Sequence, residues 1–295
     1  MTFDKAHIAT ESRRIVETLT HDFPSRSGLN PDVLSGAASY LEKEFQALKL
    51  SVESHYFSVS RPSVRNLVVT QTGRDTSKPS LIIGAHYDTV VDTPGADDNA
   101  SGVAGLLELT RLLKDYPNNH TIQYVAFTHE EPPYFYTSQM GSRAYAKKLK
   151  NEHTNVHLMF SLEMIGYASD DIIQKYPFPL MRQIARYPVY GNFIGVVGNL
   201  RTSKFVRIVR EAMRKGCGID VVSLSAPGFL PPLFLSDHAS FWRYGFPAVM
   251  ITDTAFLRNP HYHLPSDTSE MLNYNFLSDV VMGICASVIA LDQMD

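Results

Sequence analysis

From residue 80 onward, short apolar runs alternate with amphipathic ones, and this alternation sets the architecture. SLIIGAHYD (80–88) is apolar until its last residues, the pattern of a strand buried on both faces. A Gly/Asp/Asn-rich loop follows, and then GVAGLLELTRLLKDY (102–116) carries leucines at helical spacing. The strand pattern returns in TIQYVAFTH (121–129), VHLMFSLEMIG (156–166), NFIGVVGN (192–199) and FPAVMITDT (246–254). Helical patterns recur in SRAYAKKLKN (142–151), SKFVRIVREAMRK (203–215) and a last segment near 271–292.

Before residue 80 the pattern differs. A first helix is expected over roughly 4–20, with HDFPSRSGLN (21–30) as a loop. Asn30 and Pro31 read as an N-cap and a first helical position, opening a helix over about 31–49. Its Leu34, Tyr40, Leu41, Phe45 and Leu48 fall at helical spacing. SVESHYFSV (51–59) and VRNLVVTQT (64–72) alternate with period two and are expected as antiparallel edge strands. Together these elements predict an α/β fold: a mixed, largely parallel central β-sheet sandwiched by helices. The expected unit is a single domain over 1–295, with the N-terminal helices 1–50 packed on it.

A net charge of −3 gives no electrostatic attraction toward nucleic acid or an acidic membrane, so neither is expected as a partner. No run of 18 apolar residues occurs, and MTFDKAHIATESRRIVETLT lacks the apolar core of a signal peptide. The expectation is a soluble, cytoplasmic chain. Cys217 and Cys285 make neither a disulfide framework nor a thiolate metal site.

Parallel sheets gather ligands at the carboxyl ends of their strands, and polar residues cluster there in this chain. His86 and Asp88, two apart, share a face of one strand end, so Asp88 is placed to orient a ligating His86. Asp97, Asp98 and Asn99 precede a helix, where an N-cap role competes with metal binding. Glu130 and Glu131 are adjacent and diverge from an extended backbone. One carboxylate holding a metal and the other taking a proton from an activated water would explain the doubling, though spacing leaves open which does which. Glu163 sits among Phe160, Leu162, Met164 and Ile165, where a carboxylate is costly unless paired or ligated. In NPHYHLPSDTSE (259–270), one of His261 and His263 is expected as a ligand. The resulting set of nitrogen and oxygen donors, without sulfur, points to Zn²⁺ or a similar divalent ion. Five ligands exceed one tetrahedral site but fit two ions if Asp98 bridges them.

With those residues assembled, the chain resembles the M28 family of co-catalytic zinc aminopeptidases, which contains secreted Vibrio and Streptomyces enzymes. The resemblance runs through GAHYDTV, PGADDNASG, the Glu130–Glu131 pair, GSRAYA, LEMIG, SDHASF and HYHLPSDT, over about residues 80–270. It implies one zinc on His86, Asp98 and Glu163 and a second on Asp98, Glu131 and His263. It further implies Glu130 as general base and later proton donor, and Asp88 as the residue orienting His86. Tyr262 stands where the Streptomyces enzyme has a tyrosine that stabilises the tetrahedral intermediate, implying an oxyanion role. A peptide or dipeptide is the implied substrate.

Two departures stand out. Glu163 occupies a position where the Vibrio and Streptomyces enzymes have Asp, and PPYFYTSQ (132–139) lengthens the connection after the glutamates. Asp237 and His238, Tyr134 of that segment, and Phe229 of the apolar SAPGFLPPLFL loop (225–235) are candidate substrate-pocket residues. Two other functions fit related sequences: a mono-zinc glutaminyl cyclase, and a non-catalytic binding protein that keeps the fold. The complete ligand set favours the hydrolase.

Overall fold

Ten strands and seven helices are defined in the computed structural model, which describes residues 4–57, 64–176, 187–227, 230 and 233–294. The strands are β1 (Val52–Tyr56), β2 (Arg65–Gln71), β3 (Ser80–His86), β4 (Ile122–Phe127), β5 (Val156–Glu163), β6 (Ser169–Ile173), β7 (Tyr190–Gly191), β8 (Phe193–Asn199), β9 (Asp220–Ala226) and β10 (Ala248–Thr252). The helices are α1 (Lys5–His21), α2 (Pro31–Ala47), α3 (Gly102–Leu113), α4 (Gly141–Asn151), α5 (Ser203–Gly216), α6 (His238–Arg243) and α7 (Tyr274–Asp292).

Eight strands form one mixed sheet in the order β1-β2-β4-β3-β5-β10-β8-β9, while β6 and β7 pair separately. Its centre, β4-β3-β5-β10, is parallel throughout. VRNLVVTQT does not form an edge strand: β2 lies between β1 and β4, antiparallel to both. Only β1 is at that edge, which agrees with the fuller burial of β2.

Every residue of β3 is buried, and its side chains divide by the two-residue period of a strand. Leu81, Ile83 and Ala85 join a large core that includes residues of α1, α2, α3, α5 and α7, whereas Ile82 joins a smaller core with α4 and α6. Adjacent β5 repeats the split, with Leu158, Phe160 and Leu162 on one side and Met159 on the other. Helices thus cover both faces of the central strands. The last helix, α7, has the length and mean hydropathy (1.6) of a membrane-crossing segment, yet most of it is buried against protein.

Candidate metal centre

The parallel strands β4, β3, β5 and β10 end side by side, which brings distant parts of the sequence together. His86 and Glu163 are the last residues of β3 and β5. Glu130 and Glu131 follow β4, His263 follows β10, and Asp98 lies in the turn Ala96–Ser101 between β3 and α3.

Asp98 stands between the two histidines. Its Oδ1 is 3.5 Å from His86 Nε2 and its Oδ2 is 3.1 Å from His263 Nε2. Glu163 Oε2 is 3.4 Å from His86 Nε2, and Glu131 Oε2 is 3.4 Å from His263 Nε2. Two donor groups result, His86–Asp98–Glu163 and Asp98–Glu131–His263, sharing Asp98. Glu130 Oε2 lies 4.0 Å from His86 Nε2 and belongs to neither group.

These residues fit a pair of cations. Donors about 2.0 Å from zinc at a tetrahedral angle lie about 3.3 Å apart, close to the spacings observed. His86 Nε2 and Glu131 Oε1 are buried without a hydrogen-bond partner. Among the described residues no lysine or arginine forms an ion pair with Asp98, Glu130, Glu131 or Glu163. Uncompensated buried carboxylates are costly, and divalent ions are the neutralising charge such a donor set accepts.

The protonation tendencies of the metal-free residues express the same crowding. Burial, reinforced by Glu163, Glu131 and Asp237 against the opposing His86, raises Glu130 well above the usual carboxylate range. Burial, then Asp98, pushes Glu131 up to about 8. Burial disfavours a charged His86, but Glu163 and Glu130 outweigh it and hold the imidazole well above its ordinary value. At His263 burial is likewise outweighed, by Asp98 and Glu131, and the ring is pushed up to about 10. His263 is also the group's open side, its side chain 30% exposed against 8% or less for the other candidate donors.

Several buried groups fix these positions. Asp88 does more than the sequence suggests: its carboxylate accepts the backbone N–H of Glu130 (3.2 Å) and Glu131 (3.1 Å). The closest partner of His86 Nδ1 is the Asp88 carbonyl at 3.2 Å, with the Asp88 carboxylate at 3.6 Å. Asp267 accepts the N–H groups of both Asp97 and Asp98. Asn99 donates to the Leu162 carbonyl and accepts from Met164 N, tying the Asp98 turn to the end of β5. Fully buried Arg26 donates to the carbonyls of Leu19, Tyr87, Pro94 and Gly95, binding the β3 exit to the same turn. Ser236 Oγ donates to Glu163 Oε2 at 2.7 Å. Of these, Asp267 is marked in sequence by its motif, but a lone loop arginine such as Arg26 carries no signal.

The remaining candidates separate. His261 turns away and pairs with Ser266 Oγ, so His263 alone of the two joins the centre. Tyr262 stacks on His263 (3.7 Å between ring centroids) and lines an apolar cavity of about 340 Å³ that also reaches Glu163. Asp237 is fully buried with both oxygens lacking a hydrogen bond, and burial pushes it up to about 7. His238 is buried, bonds the Leu233 carbonyl and packs against Trp242 rather than lining the apolar cavity. Burial pushes its imidazole down to about 4, as befits a neutral structural histidine. Tyr134 lies flat on His129 with 3.8 Å between centroids, filling space beside Gly28 rather than lining the cavity. Phe229 lies outside the described residues.

Comparison with known proteins agrees with this geometry. The family description "Peptidase family M28" matches residues 66–288. A protein of Escherichia coli (strain K12) described as "Uncharacterized protein YfbL" is 42% identical over 280 residues, covering 92% of this chain and 84% of that one. The chain spans about half the length of the curated fungal peptidases it matches, such as those at 50%, 53% and 49% coverage. Among solved structures, a zinc aminopeptidase from Bacillus subtilis superposes with a TM-score of 0.74 at 17% identity, covering 95% of this chain and 94% of that one. A Bacteroides thetaiotaomicron glutaminyl cyclase superposes at 0.69 and 19% identity, covering 95% and 97%. At these identities the two structures establish the shared α/β fold.

Proposed function

The chain belongs to peptidase family M28, and from that premise we propose that it is an aminopeptidase releasing apolar N-terminal residues from peptides. The observation that carries this reading is the position of Glu130. It faces His86 at 4.0 Å, buried, yet stands outside both donor groups. A carboxylate beside a metal pair but not engaged by it is free to move protons.

Two divalent ions, in our reading zinc, held by His86, Asp98 and Glu163 and by Asp98, Glu131 and His263, would supply Lewis acidity and lower the pKa of water. Glu130 takes the proton of the attacking water and returns it to the leaving amine. The burial and neighbouring carboxylates that raise its proton affinity suit both steps. Asp88, by holding both N–H groups of the pair, keeps Glu130 and Glu131 diverging. Tyr262 places a hydroxyl beside the centre, where it donates to the developing oxyanion.

The cavity reaching Glu163 and Tyr262 is walled by Phe193, Val197, Leu233 and Met250. It fits the side chain of the residue being released, and its walls favour leucine, methionine or phenylalanine over charged residues. A panel of aminoacyl-anilides and dipeptides, assayed with Zn²⁺, Co²⁺ or Mn²⁺ restored to metal-free protein, tests this. Leucyl and phenylalanyl substrates should exceed aspartyl and lysyl ones by at least tenfold in kcat/KM. No hydrolysis with any metal would overturn the reading.

A further inference from the structure

A groove of about 670 Å³ opens beside the segment that follows Glu131, lined in part by Tyr136, Phe234 and Trp242. Three arginines, Arg143, Arg201 and Arg243, share it, and no acidic residue does. Among the described residues none of the three forms an ion pair, whereas Arg14, Arg65 and Arg111 elsewhere each pair with a glutamate. Arg143 donates to the Tyr136 carbonyl, and its Nε is buried without a partner. Burial, and then the approach of Arg243, hold the Arg143 guanidinium below the ordinary arginine range. Converging cations without a counter-charge form a site an anion completes, and guanidinium groups match the two oxygens of a carboxylate.

The groove's position gives that anion an identity. Tyr136 belongs to the loop directly after Glu131, and its hydroxyl donates to the Phe234 carbonyl at 2.8 Å, joining that loop to the groove wall. Its phenol also feels the charge of Glu130. Helix α6, which carries Trp242 and Arg243, starts immediately after Asp237, itself in the field of His86 and Glu163. The apolar cavity is reached instead past Glu163 and Tyr262. The groove therefore lies on the Glu130 side, where the leaving amine and the rest of the peptide depart.

We propose that this groove binds a substrate carboxylate beyond the scissile bond, so that short peptides carrying a carboxylate just past that bond are the preferred substrates. The direction assigned to the peptide rests on the aminopeptidase reading; the carboxylate site itself rests on the three arginines. The carboxylate comes from the C-terminus or from an acidic side chain, and the probes separate these sources.

Trp242 is the only tryptophan in the chain and lies in the groove, so its fluorescence reports occupancy without any need for turnover. Leucyl-alanine, leucyl-alaninamide and leucyl-glutamic acid α-amide are mixed with metal-loaded protein and read within seconds, and their hydrolysis is measured separately. Leucyl-alanine should change the fluorescence saturably and leucyl-alaninamide should not, with kcat/KM favouring the acid by at least about tenfold. In the Arg201→Gln/Arg243→Gln double variant the fluorescence response should vanish and the acid-to-amide ratio should fall toward one. A response to leucyl-glutamic acid α-amide alone keeps the carboxylate site and assigns it to a side chain. If nothing is cleaved but fluorescence still separates acid from amide, the aminopeptidase reading fails and the groove stands. Identical responses and identical kcat/KM for all three compounds in the unaltered protein would overturn the proposal.

Discussion

Glu130 and Glu131 differ by one position in sequence and by role in space. Glu131 faces His263 and Asp98, while Glu130 faces His86. The divergence was legible in the sequence because neighbours on an extended chain point apart. Which of the two faces which histidine does not follow from spacing, only from the resemblance, since it depends on where β3 and β10 place the two histidines. Glu130→Gln keeps shape and removes the ionisable group. It should retain both metals by elemental analysis while kcat falls by about 10²–10⁴-fold. Near-full activity would remove Glu130 from the mechanism. At Glu163, sequence indicated that a buried carboxylate needed compensation, but the Ser236 hydroxyl lies 73 residues away and only the fold reveals it.

Among the elements, the central strands were readable because strands buried on both faces must be nearly continuous in apolar residues, as β3 is. Strand β9 carries only weak patterning in the sequence because it lies at the sheet's other edge and is only half-buried. The direction of β8 was equally hidden: its residues suit either orientation, and it runs antiparallel to β10. The Asp98 turn depends on supports no motif announces. Removing the guanidinium in Arg26→Met takes the donor from the Tyr87 and Pro94 carbonyls, whereas the Gly95 carbonyl keeps the N–H of Ala100. Unsatisfied buried groups cost about 1–3 kcal/mol each, so a loss of about 2 kcal/mol or more is expected in urea unfolding, together with weaker metal retention. Unchanged values for both would show that Arg26 does not hold the turn. Gly95, at φ +61°, admits no side chain either: a Cβ would meet Thr89 Cγ2 at 2.3 Å and the Asp98 carbonyl at 2.4 Å. Gly95→Ala should therefore lower the melting temperature and metal affinity together.

For the whole molecule, burial crowds carboxylates together at one place. Burial leads the upward shift of Glu131 (about 8), Asp237 (about 7) and Asp267 (about 7). Between the ordinary carboxylate range near pH 4 and those values, the folded metal-free protein binds more protons than the unfolded chain, so its stability falls as pH rises. His263, raised from 6.5 to about 10, acts in the same direction: its contribution is complete below pH 6.5 and is lost toward pH 10. Asp88 is shifted the opposite way, downward, so its contribution is lost only on acidification below its ordinary range. The melting temperature of metal-free protein should thus decline from pH 5 to 9, and zinc should flatten the decline by replacing those protons. A melting temperature that rises over this interval without metal would contradict that balance.

Because Asp98 is shared between the two donor groups, the two ions are expected to bind as a pair. The most direct measurement is stoichiometric titration of Zn²⁺ into metal-free protein, following leucyl-anilide hydrolysis and bound metal together. Hydrolysis that reaches its maximum as two tightly bound equivalents fill is the expected result. Saturation at one equivalent, with pyroglutamate formed from a Gln-initial peptide and no anilide cleaved, would contradict it.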